Sequence, residues 1–353
     1  MDQKRADFGL PRRFRPDRGA ELAASNDPAA QPIADVYLAM MHASAVITAA
    51  RLGLFEALAD GPMTIEALAR ALDASQTGVA RLSDFLVEAA MLERRGDVLV
   101  NAPDTARWFT SRGKVDYTPG LVWSADAWSI MLDLPDAVRR GEPARSLWDR
   151  MRDEPALGTR FARYMRAFAQ DLSPDLLHLI DVPHEAKRLL DLGGSHGLHT
   201  LALCRRYRQL SGLIIDLESA LDGTETRIRD AGLEGRIAVH AADVRACDWG
   251  EGYDIALYLS VAHNMHADEN ERIFTHLAKV IRPGGQLIVH DYPHETTPSL
   301  FGSAFALTLL VETGTRTYSY EEFTRMLVRA GFSAVRHHIL SPADKGTIII
   351  ARR

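Results

Sequence analysis

Three aspartates, a glycine-rich turn and a group of histidines are the residues of this chain best suited to chemistry. Leu189-Leu190-Asp191-Leu192 reads as a buried strand running into Gly193-Gly194-Ser195-His196-Gly197, after which Leu198–Tyr207 reads as a helix. Glycines let a backbone approach a ligand closely, and a helix N-terminus presents free N–H groups to it. The spacing is D-x-G-x-S-x-G. It is neither the G-x-G-x-x-G that seats a pyrophosphate nor a loop ending in Gly-Lys-Ser/Thr. An acid opening the turn repels a pyrophosphate and attracts an ammonium. The next strand ends at Asp216, whose carboxylate can accept from both hydroxyls of a ribose. The third leads into Asp243-Val244, an acceptor for an exocyclic amine beside an apolar surface for a flat base. Each aspartate alone could be a helix cap, but three at successive strand ends form a ligand constellation.

These residues need a scaffold that brings strand ends together. From Lys187 onward strands and helices alternate, which predicts a parallel sheet covered on both faces. Strands are expected at 188–192, 213–216, 237–240, 253–259 and 286–291, with a helix over Asp268–Ile281 stopping at Arg282-Pro283-Gly284-Gly285. Ser333–Leu340 and Gly346–Ala351 are joined by the short polar stretch Ser341–Lys345, which only an antiparallel hairpin allows. Open parallel sheets bind ligands at the carboxyl ends of their strands. The fourth strand ends there in Ser260-Val261-Ala262-His263-Asn264-Met265-His266, and the fifth in His290-Asp291-Tyr292-Pro293-His294.

Upstream the pattern is helical. Val36, Met40, Ala43, Ile47 and Ala50 recur at three- and four-residue steps. A short helix capped by Thr64, a second over Ser75–Ala90 and a hairpin over Met91–Val100 make a winged-helix arrangement. Such a module can bind DNA, but the second helix offers only Gln76 and Arg81 against Asp73, Asp84 and Glu88. A packing or dimerisation module fits better. Between Tyr117 and Ile180 lie Trp123, Trp128, Met131, Trp148, Met151, Phe161, Tyr164, Met165 and Phe168, a set that suits either a core or an apolar ligand pocket. The expected organisation is a flexible tail over 1–30, holding Arg12, Arg13, Arg15 and Arg18, then a dimerisation domain over 31–115. A helical pocket segment over 116–182 and a catalytic domain over 183–353 follow.

The 353 residues carry a formal charge of −6, which gives nucleic-acid binding no support. No run of about eighteen consecutive apolar residues marks a membrane helix. Two cysteines, Cys204 and Cys247, suit a reducing cytoplasm.

Taken together, Asp191–Gly197, Ile215-Asp216-Leu217, Ala242-Asp243-Val244, Ser260–His266, Ile281–Gly285, Tyr320–Phe323 and Ala330-Gly331-Phe332 resemble the class I S-adenosylmethionine-dependent small-molecule O-methyltransferases of plant phenolic and bacterial natural-product pathways. The resemblance covers residues 30–353. It implies a Rossmann-like seven-stranded α/β sheet with a C-terminal antiparallel hairpin, a winged-helix-like dimerisation domain, and a homodimer formed through that domain. It implies S-adenosyl-L-methionine as cofactor and S-adenosyl-L-homocysteine as product. Gly193, Gly194, Ser195 and Gly197 would shape the loop around the methionine part. Asp191 would help hold its ammonium, directly or through the backbone. Asp216 with Leu217 would bind the ribose, Asp243 with Val244 the adenine, and Ser260 would complete the set.

By the same resemblance His263 is the general base for the acceptor hydroxyl. The chemistry agrees, since a phenol of pKa about 10 yields its proton most readily to a base titrating near working pH. The sulfonium already activates the methyl group, so no metal is needed. His263 could instead cap the next helix, and His266 is the rival base; His290 reads as structural. Asp291 stands where the family places one acid beside its histidine. The second acid, expected just before Tyr320, is absent from Thr315-Arg316-Thr317-Tyr318, and Asn264 follows His263 where plant members often carry Asp. The substrate is expected among Trp128, Phe161, Met165, Asn264 and His294, lidded by Phe305 and Leu309. His263, Asp291 and His294 could alternatively ligate a metal. Relatives of the fold also methylate carbon or nitrogen, or perform decarboxylation, hydroxylation or pericyclic chemistry, so the acceptor atom stays open here.

Overall fold

A computed structural model describes residues 31–340 and 345–353. The expected tail over 1–30, with its four arginines, and most of the turn at Ser341–Asp344 lie outside the described residues. The chain divides into two compact units, Met1–Ser124 and Ala125–Arg353.

The first unit contains α1 (Gln31–Leu52), α2 (Leu54–Ala57), β1 (Met63–Thr64), α3 (Ile65–Ala71), α4 (Gln76–Glu88), β2 (Leu92–Arg95), β3 (Val98–Asn101) and α5 (Pro103–Trp108). Its three strands pair in the order β1-β3-β2, the wing of a winged helix. Local chemistry sets the boundaries. Thr64 Oγ1 accepts from the Ala67 N–H at 3.2 Å, and Ser75 Oγ from the Gly78 N–H at 3.0 Å, so each hydroxyl caps the helix that follows. Leu54, Phe55, Leu68, Val79, Leu86, Leu92 and Leu99 form the core. Helix α1 leaves Ile33, Val36, Tyr37 and Met40 exposed. By length and mean hydropathy it is long and apolar enough to cross a membrane, although its apolar residues do not form an uninterrupted run. Asp35 and His42 interrupt it.

Helix α6 (Thr118–Met131) contains the division between the units. The second unit continues with α7 (Leu134–Arg140), α8 (Leu147–Asp153), α9 (Pro155–Leu179), β4 (Arg188–Leu192), α10 (Leu198–Arg206), β5 (Ser211–Asp216), α11 (Thr224–Asp230), β6 (Ile237–Ala241), β7 (Tyr253–Leu259), α12 (Ala267–Val280), β8 (Ile281–Asp291), α13 (Ser299–Glu312), α14 (Tyr320–Ala330), β9 (Ser333–Ile339) and β10 (Thr347–Arg352). The seven-stranded sheet runs β6-β5-β4-β7-β8-β10-β9. Its first five strands are parallel, and β10 pairs antiparallel with both β8 and β9. This is the sheet expected from the alternation.

Side-chain alternation explains why both faces are covered. Leu190, Leu192, Leu287, Val289, Ile349 and Ala351 point into one core, with Phe274 and Leu277 of α12 and Phe323 and Leu327 of α14. Leu189, Ile288, Ile348 and Ile350 point into the other, with Leu172 and Leu176 of α9 and Leu201 and Leu203 of α10. One boundary differs from expectation. Helix α12 ends at Val280, and Arg282-Pro283-Gly284-Gly285 belongs to β8, whose pairing with β7 shifts between Tyr253 and Ile255. The irregularity accommodates Pro and Gly inside a strand.

Candidate active site

The turn after β4 is packed to the limit of its backbone. Gly193 (φ +74°) and Gly197 (φ +69°) adopt left-handed conformations, and Ser195 does so at φ +40°. A Cβ at Gly193 would lie 2.4 Å from Val261 Cγ2, and one at Gly194 would lie 2.6 Å from the Asp191 carboxyl carbon. Asp191 is 1% exposed and accepts from Thr200 Oγ1 at 2.7 Å. Burial pushes its carboxyl up to about 7, against the Thr200 bond and with a further push from Asp216. It therefore supports the turn from beneath, between Gly194 and α10.

Asp216, at the end of β5, joins the turn directly. Its Oδ2 accepts from the Ser195 N–H at 2.9 Å and its Oδ1 from the Leu217 N–H at 2.7 Å. Burial raises it to about 6 in spite of those two bonds. Leu217 is exposed and Val244 buried. Asp243 is partnered by Arg245, whose guanidinium donates to its Oδ2 at 2.8 Å and also reaches Glu269 at 3.3 Å. That pairing lowers the Asp243 carboxyl below its usual range. Arg245 stands only two residues beyond Asp243 and carries no sequence pattern that marks this pairing. The packed turn, the acid bridging it to β5 and the acid beyond β6 fit the amino-acid, ribose and adenine parts of a nucleoside sulfonium.

The β7 end turns off the sheet at Ser260, which holds φ +58°. Its Oγ pairs with His290 Nδ1 at 2.8 Å, and His290 Nε2 lies 2.7 Å from the Lys345 carbonyl. A carbonyl only accepts, so Nε2 carries the proton and Nδ1 accepts from Ser260. Burial lowers the His290 pKa and keeps it neutral, a structural histidine as expected.

His263 follows in a short turn and is 7% exposed. Its Nδ1 lies 3.1 Å from Asp291 Oδ1, while its backbone N–H donates to Asp291 Oδ2 at 3.0 Å. A carboxylate accepts, so Nδ1 carries a proton, and the neutral form of the ring keeps its lone pair on Nε2. Buried polar groups pin the turn elsewhere: Asn270 Nδ2 donates to the Ala262 carbonyl at 2.9 Å, and Tyr318 Oη to the Met265 carbonyl at 2.6 Å. Asn264 Nδ2 reaches back to the Ser260 carbonyl at 3.5 Å.

The two histidine options separate cleanly. His266, not His263, is the N-cap of α12; its backbone N–H donates to Glu269 at 2.8 Å and its side chain is exposed. His294 is also on the surface, 60% exposed and 4.0 Å from Glu295. The metal set His263, Asp291 and His294 is therefore not assembled, and no metal-binding cluster occurs among the described residues.

Phe305 stands edge-on to His263 with centroids 5.0 Å apart and stacks with Phe301 at 6.2 Å. Phe161 packs edge-on to Tyr164 and Trp148, each at 6.4 Å, and Met165 is half-buried on the same helix. Two expected wall residues fall elsewhere. Trp128 is 43% exposed with no ring contact to this cluster among the described residues, and Leu309 is 1% exposed, a core residue rather than a lid. A groove of about 530 Å³ beside His178, His337 and His338 contains none of the candidate site residues.

The segment Thr315–Tyr318 lacks the second acid, as its sequence says. Instead Thr315 Oγ1 donates to the His263 carbonyl at 2.5 Å. A carboxylate does reach the site, from one turn earlier. Glu312, the last residue of α13, is 8% exposed, and its charge interacts with those of His263 and Tyr164. Burial raises its carboxyl to about 7, against the pull of His263. The sequence held a signal for it: Glu312 is the only ionisable residue of α13 and stands at the C-terminus, where the helix dipole disfavours an acid.

The chain resembles known proteins along most of its length. A family model for the O-methyltransferase domain matches residues 132–333, and one for the O-methyltransferase dimerisation domain matches residues 35–112. The chain is 27% identical to 3-hydroxy-5-methyl-1-naphthoate 3-O-methyltransferase of Streptomyces sahachiroi, covering 90% of this chain and 93% of that one. It is 26% identical to demethylspheroidene O-methyltransferase of Cereibacter sphaeroides, covering 86% and 81%. The structure of human N-acetylserotonin methyltransferase in complex with SAM superposes with a TM-score of 0.80 at 20% identity, covering 94% of this chain and 99% of that one. The packed glycine turn, the acids at successive strand ends and these matches show that the chain belongs to the O-methyltransferase family, with S-adenosyl-L-methionine as its cofactor.

Proposed function

We propose that this enzyme methylates a hydroxyl of a small aromatic specialised metabolite, with His263 as general base and Asp291 as the residue that sets its tautomer. The observation that carries the reading is the pair of hydrogen bonds that the Asp291 carboxylate accepts from the ring and backbone of His263. S-adenosyl-L-methionine, when bound, supplies a methyl group already activated by its sulfonium. The residues suited to hold it are Gly193, Gly194, Ser195 and Gly197 in the turn, Asp216 and Leu217 at the ribose, Asp243 and Val244 at the adenine, and Ser260 beside the turn. Asp191 acts through the backbone of Gly194. The chain's own work is then to hold the acceptor oxygen within reach of His263 Nε2, to take its proton there, and to keep water away with Phe305 and Phe301. Such positioning is a large part of what an enzyme contributes to a displacement of this kind.

Replacing His263 with Ala is the test. The expected result is a fall in kcat of about 10²–10⁴-fold with S-adenosylhomocysteine binding intact. A near wild-type rate would leave positioning alone as the catalytic device.

The enzyme works as a homodimer assembled through the first unit. Its support is the dimerisation-domain match together with the exposed stripe Ile33, Val36, Tyr37 and Met40 on α1. A contiguous apolar patch of this kind suits a partner helix. Sedimentation of the full chain tests this, and a monomer at micromolar concentration would remove it. Helix α4 carries Arg81 alongside Asp84 and Glu88, and Asp84 pairs with Arg94 at 2.6 Å, a charge balance unsuited to nucleic acid. The free thiols Cys204 and Cys247 suit the cytoplasm.

A further inference from the structure

Glu312 makes no hydrogen bond or ion pair among the described residues, although it is 8% exposed. Its oxygens are not among the fully enclosed unpartnered atoms of the described residues, so they meet solvent at the end of a largely buried side chain, where a ligand donor can pair with them. The helix supplies its aim. Phe305, Leu309 and Glu312 fall at i, i+4 and i+7 on α13 and so share one stripe, and Phe305 at its start touches the His263 ring. Phe301 extends the same stripe by a turn. Across from it, α9 offers Phe161 and Tyr164, and Tyr164 is close enough to Glu312 for their charges to interact.

Orienting His263 is not a task left open. Asp291 already holds Nδ1 and the backbone N–H, and Thr315 holds the carbonyl. We propose that Glu312 reads the acceptor: its carboxylate takes a hydrogen bond from a second donor group, a hydroxyl or an ammonium, on the aromatic ring system whose hydroxyl faces His263. The aromatic walls fix the plane of the ring, and Glu312 fixes which edge enters. This inference rests on the proposed assignment of the site around His263. Selectivity of this kind is strong, because an acceptor lacking the donor leaves a buried carboxylate unpaired.

The test uses paired probes with the S-adenosylhomocysteine complex and in turnover. For the hydroxyl arm the pair is 2,3-dihydroxynaphthalene and 2-naphthol. For the ammonium arm it is tyramine and 4-ethylphenol. The wild-type enzyme is expected to prefer the donor-bearing member of at least one pair by about tenfold or more, in affinity and in KM. Glu312→Leu collapses that preference. Glu312→Gln, which keeps the shape, retains part of a hydroxyl preference and loses an ammonium preference. Retained binding of S-adenosylhomocysteine certifies that each variant is folded; if the Leu variant fails that check, the Gln variant and the wild-type preference decide. No preference in the wild type, for either pair, overturns the proposal. So does a loss of kcat shared equally by both members of a pair at unchanged KM, which would put Glu312 to work on His263. A preference that survives while His263→Ala leaves the rate unchanged would remove the base assignment and keep this one.

Discussion

Asp291 grips His263 at two points: Oδ1 holds the ring Nδ1 at 3.1 Å and Oδ2 holds the backbone N–H at 3.0 Å. One fully buried carboxylate thus fixes both the tautomer and the place of the imidazole. Asp291→Asn offers the ring an N–H in place of an acceptor and forces the proton onto Nε2. The expected loss in kcat is about 10²–10⁴-fold, with little change in S-adenosylhomocysteine affinity by calorimetry. A loss confined to cofactor binding would contradict the assignment.

His266 caps α12 with its side chain in water. Its replacement by Ala is expected to leave the methylation rate within about twofold, because an exposed cap away from the reacting atoms contributes only locally. Steady-state kinetics of His263→Ala and His266→Ala, run together, separate the two histidines. A collapse in the second variant alone would reverse their roles.

Gly193 stands at φ +74° with Val261 Cγ2 in the space of its missing Cβ. Gly193→Ala adds backbone strain and a clash at one position, costing about 1–3 kcal/mol for each. The variant should melt several degrees lower and bind S-adenosylhomocysteine at least tenfold more weakly. Unchanged melting and affinity would mean that the turn yields easily.

The Glu312 carboxyl is pushed up to about 7 by burial, above its usual value of about 4. The folded state therefore holds that proton more tightly than the unfolded chain. Its contribution to stability is complete below pH 4 and is lost as pH rises through 7. Buried histidines pull the opposite way, since burial lowers His199 to about 3, so a difference measurement is needed. Glu312→Gln mimics the protonated form. Its melting temperature relative to wild type should climb between about pH 4.5 and 7 and level off above that; a constant difference across that range would show that the carboxyl titrates normally.

The sheet and the cofactor turn were legible in the sequence because strand alternation and a glycine turn leave local patterns. Leu189 to Leu192 already display the two-sided burial that the structure gives them. Asp216 was equally readable, since a strand followed by a helix places its last residue at the sheet edge. The acceptor walls were not. Leu309 and Phe305 lie on one stripe of α13, the first shut in at 1% exposure and the second edge-on to His263, and apolar periodicity does not tell the two environments apart. Trp128 carried the right composition on a surface facing water. Glu312 was not legible as a site residue because a single acid at the end of an apolar helix carries no periodic pattern, and only the fold brings it near His263. Arg245 escaped because pairing with Asp243 across two residues leaves no periodic trace.

The turn that carries His263 begins at a strained Ser260 and is tied down by Asp291, Asn270, Thr315 and Tyr318. Most of these ties reach main-chain atoms, while the walls at Phe301, Phe305, Phe161 and Glu312 are side chains on two helices. On the proposed assignment, the turn that handles the proton would stay constant while the walls were exchanged, and substitutions on α9 and α13 alone would change the acceptor range and leave the chemistry in place.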